Sequence, residues 1–159
     1  MKRKLVTENN TVKHQATIFV VDDDPGVSRA MSSVAQLLDL PVCSFSSAEE
    51  FLSSYDPAQP GCLILDIKMP GMTGLELQQR LAEADIRLPI IMISGHADVR
   101  IAVEAMGRGA VTLLEKPCRL DELTSHIRRA LSIDAERRSS LIQQANTESK
   151  IACLTFLVS

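Results

Sequence analysis

Ile18-Phe19-Val20-Val21-Asp22-Asp23-Asp24-Pro25 is a short apolar run that ends abruptly in three carboxylates and a proline. Apolar runs of this length, bounded by polar residues, read as strands buried on both faces of a parallel sheet. The same pattern recurs downstream. Cys62-Leu63-Ile64-Leu65 stops at Asp66, and Val111 to Leu114 is followed by Glu115-Lys116-Pro117. In an open α/β sheet the carboxyl ends of the strands form the ligand crevice. The chain is therefore expected to gather several carboxylates and one lysine at a single edge of one sheet.

Reading outward from that stretch gives five strand–helix units. Asp24 is placed to cap a helix whose first residue is Pro25. Val27, Ala30, Met31, Val34, Leu37 and Leu38 then recur at helical spacing. Pro41 to Phe45 reads as a strand, Ser46 to Glu50 as a capping turn into a helix ending near Tyr55, and Asp56 to Gly61 as a loop. Cys62 to Asp66, Pro89 to Ser94 and Val111 to Glu115 read as further strands, each followed by a helical pattern. Gly107 and Gly109 stop the helix after Asp98. Alternation of this kind predicts an α/β fold, (βα)5, with a parallel sheet and helices on both faces. Residues 1–16 read as a tail and 17–132 as the domain. Residues 133–159 read as a linker helix leading into the start of a further domain.

Composition sets the outer limits. With 159 residues, 45% of them hydrophobic, the chain suits one domain with its own core. A net charge of -3 gives no overall attraction to nucleic acid. Cys43, Cys62, Cys118 and Cys153 lack C-x-x-C spacing. Cys43 and Cys62 read as small core residues, in a reducing cytoplasm without disulfides or zinc. Lys2-Arg3-Lys4 is not followed by the apolar stretch a signal peptide needs, and no run is long enough to span a membrane.

The chemistry is carried by the strand ends. Three adjacent aspartates alone read as a solvated turn. Asp66, at the end of a second buried strand, changes that reading for Asp22 and Asp23. Carboxylates crowded together repel one another unless a cation sits among them. Mg2+ suits such a set, because it takes one or two carboxylates and completes its shell with water and phosphate oxygens. Lys116 alone would read as a solvent-facing lysine; at this edge it is placed to pair with a carboxylate or a phosphoryl oxygen. Ser94 reads equally as a phosphoryl hydrogen-bond donor or as a turn cap. His96 has no second histidine nearby and is rejected as a metal ligand.

These segments together resemble the receiver domain of bacterial two-component response regulators of the NarL/FixJ type. The resemblance rests on Val20-Val21-Asp22-Asp23-Asp24, Leu65 to Gly74, Ile93-Ser94-Gly95-His96-Ala97 and Glu115-Lys116-Pro117, and covers about Thr17 to Ala130. It implies a flavodoxin-like sheet in the order 2-1-3-4-5. Asp66 would be the phosphoacceptor. Asp22, Asp23, Asp66 and the backbone carbonyl of Lys68 would hold Mg2+. Ser94 and Lys116 would contact the phosphoryl group, with Lys116-Pro117 in the cis form. Lys68 and His96 would tune phosphoryl lifetime. Leu113 stands where the family usually has a switching aromatic, so an aromatic relay is not expected.

The resemblance also implies a sensor histidine kinase as partner and a phosphorylation-dependent homodimer through the face formed by residues 99–129. It implies a switch rather than an enzyme, with its own phosphorylation and dephosphorylation as the chemistry it catalyses. Ile151 to Thr155 resembles the opening of a DNA-binding output domain, so transcription control is expected of a longer protein and no DNA binding of this stretch. Three alternatives stand beside this reading. One is a receiver without DNA-binding output, and another a non-phosphorylated interaction module. The third is a haloacid-dehalogenase-like phosphatase using Asp22 as nucleophile.

Overall fold

The computed structural model describes residues 15–96 and 98–158, with side chains as far as Leu154. Most of the expected tail, residues 1–14, lies outside the described residues, as do Ala97 and Ser159. Strands and helices alternate as β1 (Thr17–Val21), α1 (Pro25–Leu38), β2 (Val42–Phe45), α2 (Ala48–Ser54), β3 (Gly61–Asp66), α3 (Gly74–Glu83), β4 (Ile90–Ser94), α4 (Val99–Gly107), β5 (Thr112–Glu115) and α5 (Leu120–Val158). All strand pairs are parallel, and the sheet order is β2-β1-β3-β4-β5.

The apolar runs are continuous because the sheet is covered on both faces, and successive side chains point to opposite sides. On one face, Met31 and Val34 of α1 and Leu123 and Ile127 of α5 pack on Ile18, Val20, Ile64 and Ile91. On the other, Phe51 of α2, Leu77 and Leu81 of α3 and Ala105 of α4 pack on Phe19, Val21, Leu63 and Met92. The chain leaves β1 toward β2 and returns to β3 on the opposite side of β1. This reversal opens a crevice at the carboxyl ends of β1 and β3.

Local signals set the element ends. Asp24 accepts a hydrogen bond from the Gly26 amide at 2.9 Å, with Pro25 opening α1. Ser47 accepts from the Glu50 amide and caps α2. Gly61 starts β3 so close to β1 that a Cβ there would lie 1.9 Å from the Thr17 carbonyl oxygen. Phe51 is fully buried, with its ring centroid 5.0 Å from Tyr55, 5.3 Å from Phe45 and 5.9 Å from Phe19. Phe51→Ala is expected to cost about 3–5 kcal/mol in urea-induced unfolding, a large part of a typical domain's stability.

One expectation needs correcting. Cys43 is exposed rather than in the core: β2 is an edge strand, and its middle lies open. Cys62, in central β3, is fully buried as expected. The last helix continues past residue 132 without a break. It runs on as one element to Val158, and its packing against the domain reaches Arg138.

Candidate functional site

The register of the sheet assembles the site. Val21 pairs with Leu65, which brings Asp22 and Asp66 side by side just past that pair. The Lys116 amide donates to the Ser94 carbonyl at 2.8 Å, fixing the start of the next loop against β4. The Lys116-Pro117 peptide bond is cis. The Lys116 ammonium then lies 3.0 Å from Asp22 Oδ2 and 3.6 Å from Asp66 Oδ2. Asp22 Oδ1 accepts from the Asp24 amide at 2.8 Å, which ties the acidic turn to its own carboxylate.

One carboxylate oxygen from each of Asp22, Asp23 and Asp66 falls within 4.8 Å of the others. The Asp22 side chain is 1% exposed and that of Asp66 7%, whereas Asp23 faces solvent. Burial and the charge of Asp22 push the Asp66 carboxyl up to about 6 from 3.8, against the pull of Lys116 and of the Lys68 amide. Lys116 moves the other way from what its burial alone would do: its hydrogen bond to Asp22 and the charges of Asp22 and Asp66 raise it. Three carboxylates share one ammonium, so the cluster carries an excess of negative charge. That donor set fits a hard divalent cation, which takes oxygen ligands.

The loop from Ile67 to Thr73 is held from several sides. Thr73 and Glu76 form a reciprocal cap at the start of α3. Glu49 of α2 accepts from the Met72 amide at 3.2 Å. Gly74 lies so near the end of β3 that a Cβ would stand 2.3 Å from the Asp66 carbonyl oxygen. The sequence reading overlooked these supports, although the Thr73-x-x-Glu76 pattern was available.

The other candidates take different places. Ser94 is buried, and its hydroxyl donates to the His96 carbonyl at 2.7 Å and accepts from the His96 amide, so in this structure it closes its own turn. The His96 side chain is exposed. Leu113 is half-buried against the core beside α4. Asp24 is the α1 cap and lies outside the three-carboxylate group.

The family model described as the response regulator receiver domain matches residues 18–128. The chain belongs to that family. Response regulator protein TodT of Pseudomonas putida is 44% identical over 125 residues, which cover 79% of this chain and 55% of that protein. Nodulation protein W of Bradyrhizobium diazoefficiens is 39% identical over 141 residues, covering 89% and 62%. Among solved structures, response regulator StyR superposes with a TM-score of 0.82 at 37% identity, covering 87% of this chain and 70% of that one. The FixJ-N structure gives 0.67 at 37% identity, covering 75% and 95%.

The receiver thus has the flavodoxin-like fold of its neighbours and serves two-component signalling. Response regulators are signalling switches, phosphorylation on aspartate is typical of them, and receivers typically bind Mg2+ at an acidic pocket. That membership supersedes the phosphatase alternative. The chain spans just over half the length of TodT.

Proposed function

We propose that Asp66 accepts the phosphoryl group from the phosphohistidine of a sensor kinase. Its carboxylate oxygen attacks phosphorus, the P–N bond breaks, and the electron pair leaves with the imidazole nitrogen. The observation that carries this reading is the meeting of Asp22, Asp23, Asp66 and Lys116 at one crevice. Of the two buried carboxylates, Asp22 is engaged by the Asp24 amide and closely by Lys116, while Asp66 is held less tightly.

Asp22, Asp23, Asp66 and the Lys68 carbonyl would hold Mg2+, which when bound supplies charge neutralisation for the phosphoryl oxygens. Lys116 supplies the protein's own cation at the same place. A phosphoryl group adds about -1.5 to -2 charges and three acceptor oxygens. Ser94, released from its turn, and Lys116 are the donors that would close on it. Leu113 is assigned packing rather than an aromatic relay, and the exposed Lys68 and His96 are assigned the tuning of phosphoryl lifetime. Incubation with acetyl phosphate and Mg2+, followed by peptide mapping, is expected to place one acyl phosphate on Asp66. Label retained in Asp66→Asn but lost in Asp22→Asn would overturn the assignment.

The output face is proposed to be α4, β5 and the first part of α5. Val99 is 80% exposed and Val103 66%, an apolar surface that suits a phosphorylation-dependent homodimer. Sedimentation velocity is expected to show the mass doubling when beryllofluoride and Mg2+ are added; an unchanged mass would count against this face. Sequence relatives such as transcriptional regulatory protein TdiR of Thauera aromatica, 36% identical, support transcription control as the output. We place that activity in a longer, cytoplasmic protein, with DNA contact outside these residues. Among the described residues, no helix is long and apolar enough to cross a membrane.

A further inference from the structure

Asp134 is a buried carboxylate that phosphoryl chemistry does not use. It continues the face of α5 on which Leu123, Ile127 and Ala130 meet the sheet, one turn past the last of them. There the face changes from apolar to ionic. Asp134 Oδ2 accepts from the Gly61 backbone amide at 2.9 Å and from Arg138 Nε at 2.8 Å.

Arg138 carries the network across the floor of the domain. Its guanidinium donates to the Pro57 carbonyl at 3.1 Å, to the Gln59 carbonyl at 3.0 Å and to the Tyr55 hydroxyl at 3.4 Å. Next to it, Arg137 donates to the Arg87 carbonyl at 2.7 Å, in the segment leading to β4. One turn of helix is thereby bonded to the approaches of two strands. From Ser139 to Leu154 every residue is exposed.

An apolar contact would hold a helix here at no energetic disadvantage, since buried ion pairs seldom outperform packed hydrophobic side chains. Directional hydrogen bonds add registration. Sliding α5 by one residue would rotate Asp134 by about 100° and raise it about 1.5 Å, breaking the bond to Gly61. Leucine side chains tolerate such a shift far better.

We propose that Asp134 and Arg138 form a clamp that fixes the direction in which α5 leaves the receiver. The exposed turns after Ser139 then project at one angle from the phosphoacceptor domain. The clamp is anchored on Gly61, the first residue of the strand that ends at Asp66. The working unit therefore runs to Arg138.

Double electron–electron resonance on the full chain tests this. Nitroxides are placed at Gln79 of α3 and Thr147 of α5, with Cys43, Cys118 and Cys153 replaced by serine. The unaltered clamp is expected to give one narrow distance. Asp134→Asn with Arg138→Met removes both charges together and keeps an acceptor for the Gly61 amide. That pair is expected to give a distribution about twice as wide, as for a helix held by sliding apolar contacts. Arg138→Lys keeps the charge but not the forked donor set, and is expected to fall between. Acetyl phosphate labelling of Asp66 should be retained in all three. Equal widths in the three proteins, or a broad distribution with the clamp intact, would overturn the proposal.

Discussion

Replacing Asp66 with asparagine is expected to abolish acyl phosphate formation and, without divalent cation, to make the domain more stable. The first effect follows from losing the oxygen proposed as nucleophile. The second follows from electrostatics. Asp66 and Asp22 are both buried beside a single ammonium, and the Asp66 carboxyl sits up at about 6 instead of 3.8. A native carboxyl that binds its proton more tightly than the unfolded chain does destabilises the fold once it must ionise. The penalty is absent below about pH 4, grows as pH rises, and is complete above about pH 6. Asparagine removes it and also loses the attraction to Lys116, so the net gain is about 1–3 kcal/mol at pH 7.5. That is a rise of roughly 3–10 °C in melting temperature. Calorimetry in EDTA should show the difference between variant and wild type shrinking toward zero from pH 7 to pH 4. A difference that does not change with pH would mean that charge crowding is not its cause. Adding Mg2+ should stabilise the wild type more than the variant, because the variant has lost one of the proposed ligands.

The carboxyl edge was legible because each strand announces itself as a short apolar run and each candidate residue stands within two positions of the end of one. Asp22, Asp66, Ser94 and Lys116 needed only the rule that parallel strands end on the same side. Periodicity could not order the strands, and the order came through the family resemblance. It also could not tell an edge strand from a central one. Cys43 and Cys62 both sit in apolar runs, yet only Cys62 has a strand on each side. Asp134 and Arg138 were illegible for a different reason. A carboxylate and a guanidinium four residues apart read as a solvated pair on a polar helix. Their burial depends on the segment from Tyr55 to Gly61, more than 70 residues away, arriving beneath the helix. Ser94 was read in isolation as either of two things. The turn bond to His96 realises one of them, and the proposed phosphoryl role would require that bond to break.

Lys116→Met is expected to be the most damaging single change at the site for the metal-free fold. The ammonium lies 3.0 Å from Asp22 and 3.6 Å from Asp66. Methionine keeps much of the apolar stem and removes the charge, leaving two buried carboxylates against each other. Removing one partner of a buried ion pair costs about 3–5 kcal/mol, and the solvent-facing side of Lys116 places this case near the lower end. Urea titrations in EDTA at pH 8 should show that loss. At pH 5 it should be much smaller, because Asp66, without its cation, holds a proton more firmly still and one of the two charges disappears. The double variant Lys116→Met with Asp66→Asn should recover most of the stability at pH 8, a strong departure from additivity. A neutral Lys116→Met at pH 8, or a double variant no better than the single one, would show that the three groups do not balance one another. The same substitution also removes the cation proposed to meet the phosphoryl oxygens. Acetyl phosphate labelling of Asp66 in excess Mg2+ should therefore persist while the phosphorylation-dependent dimer is lost. Lys116 would then be needed to read the phosphoryl group rather than to receive it.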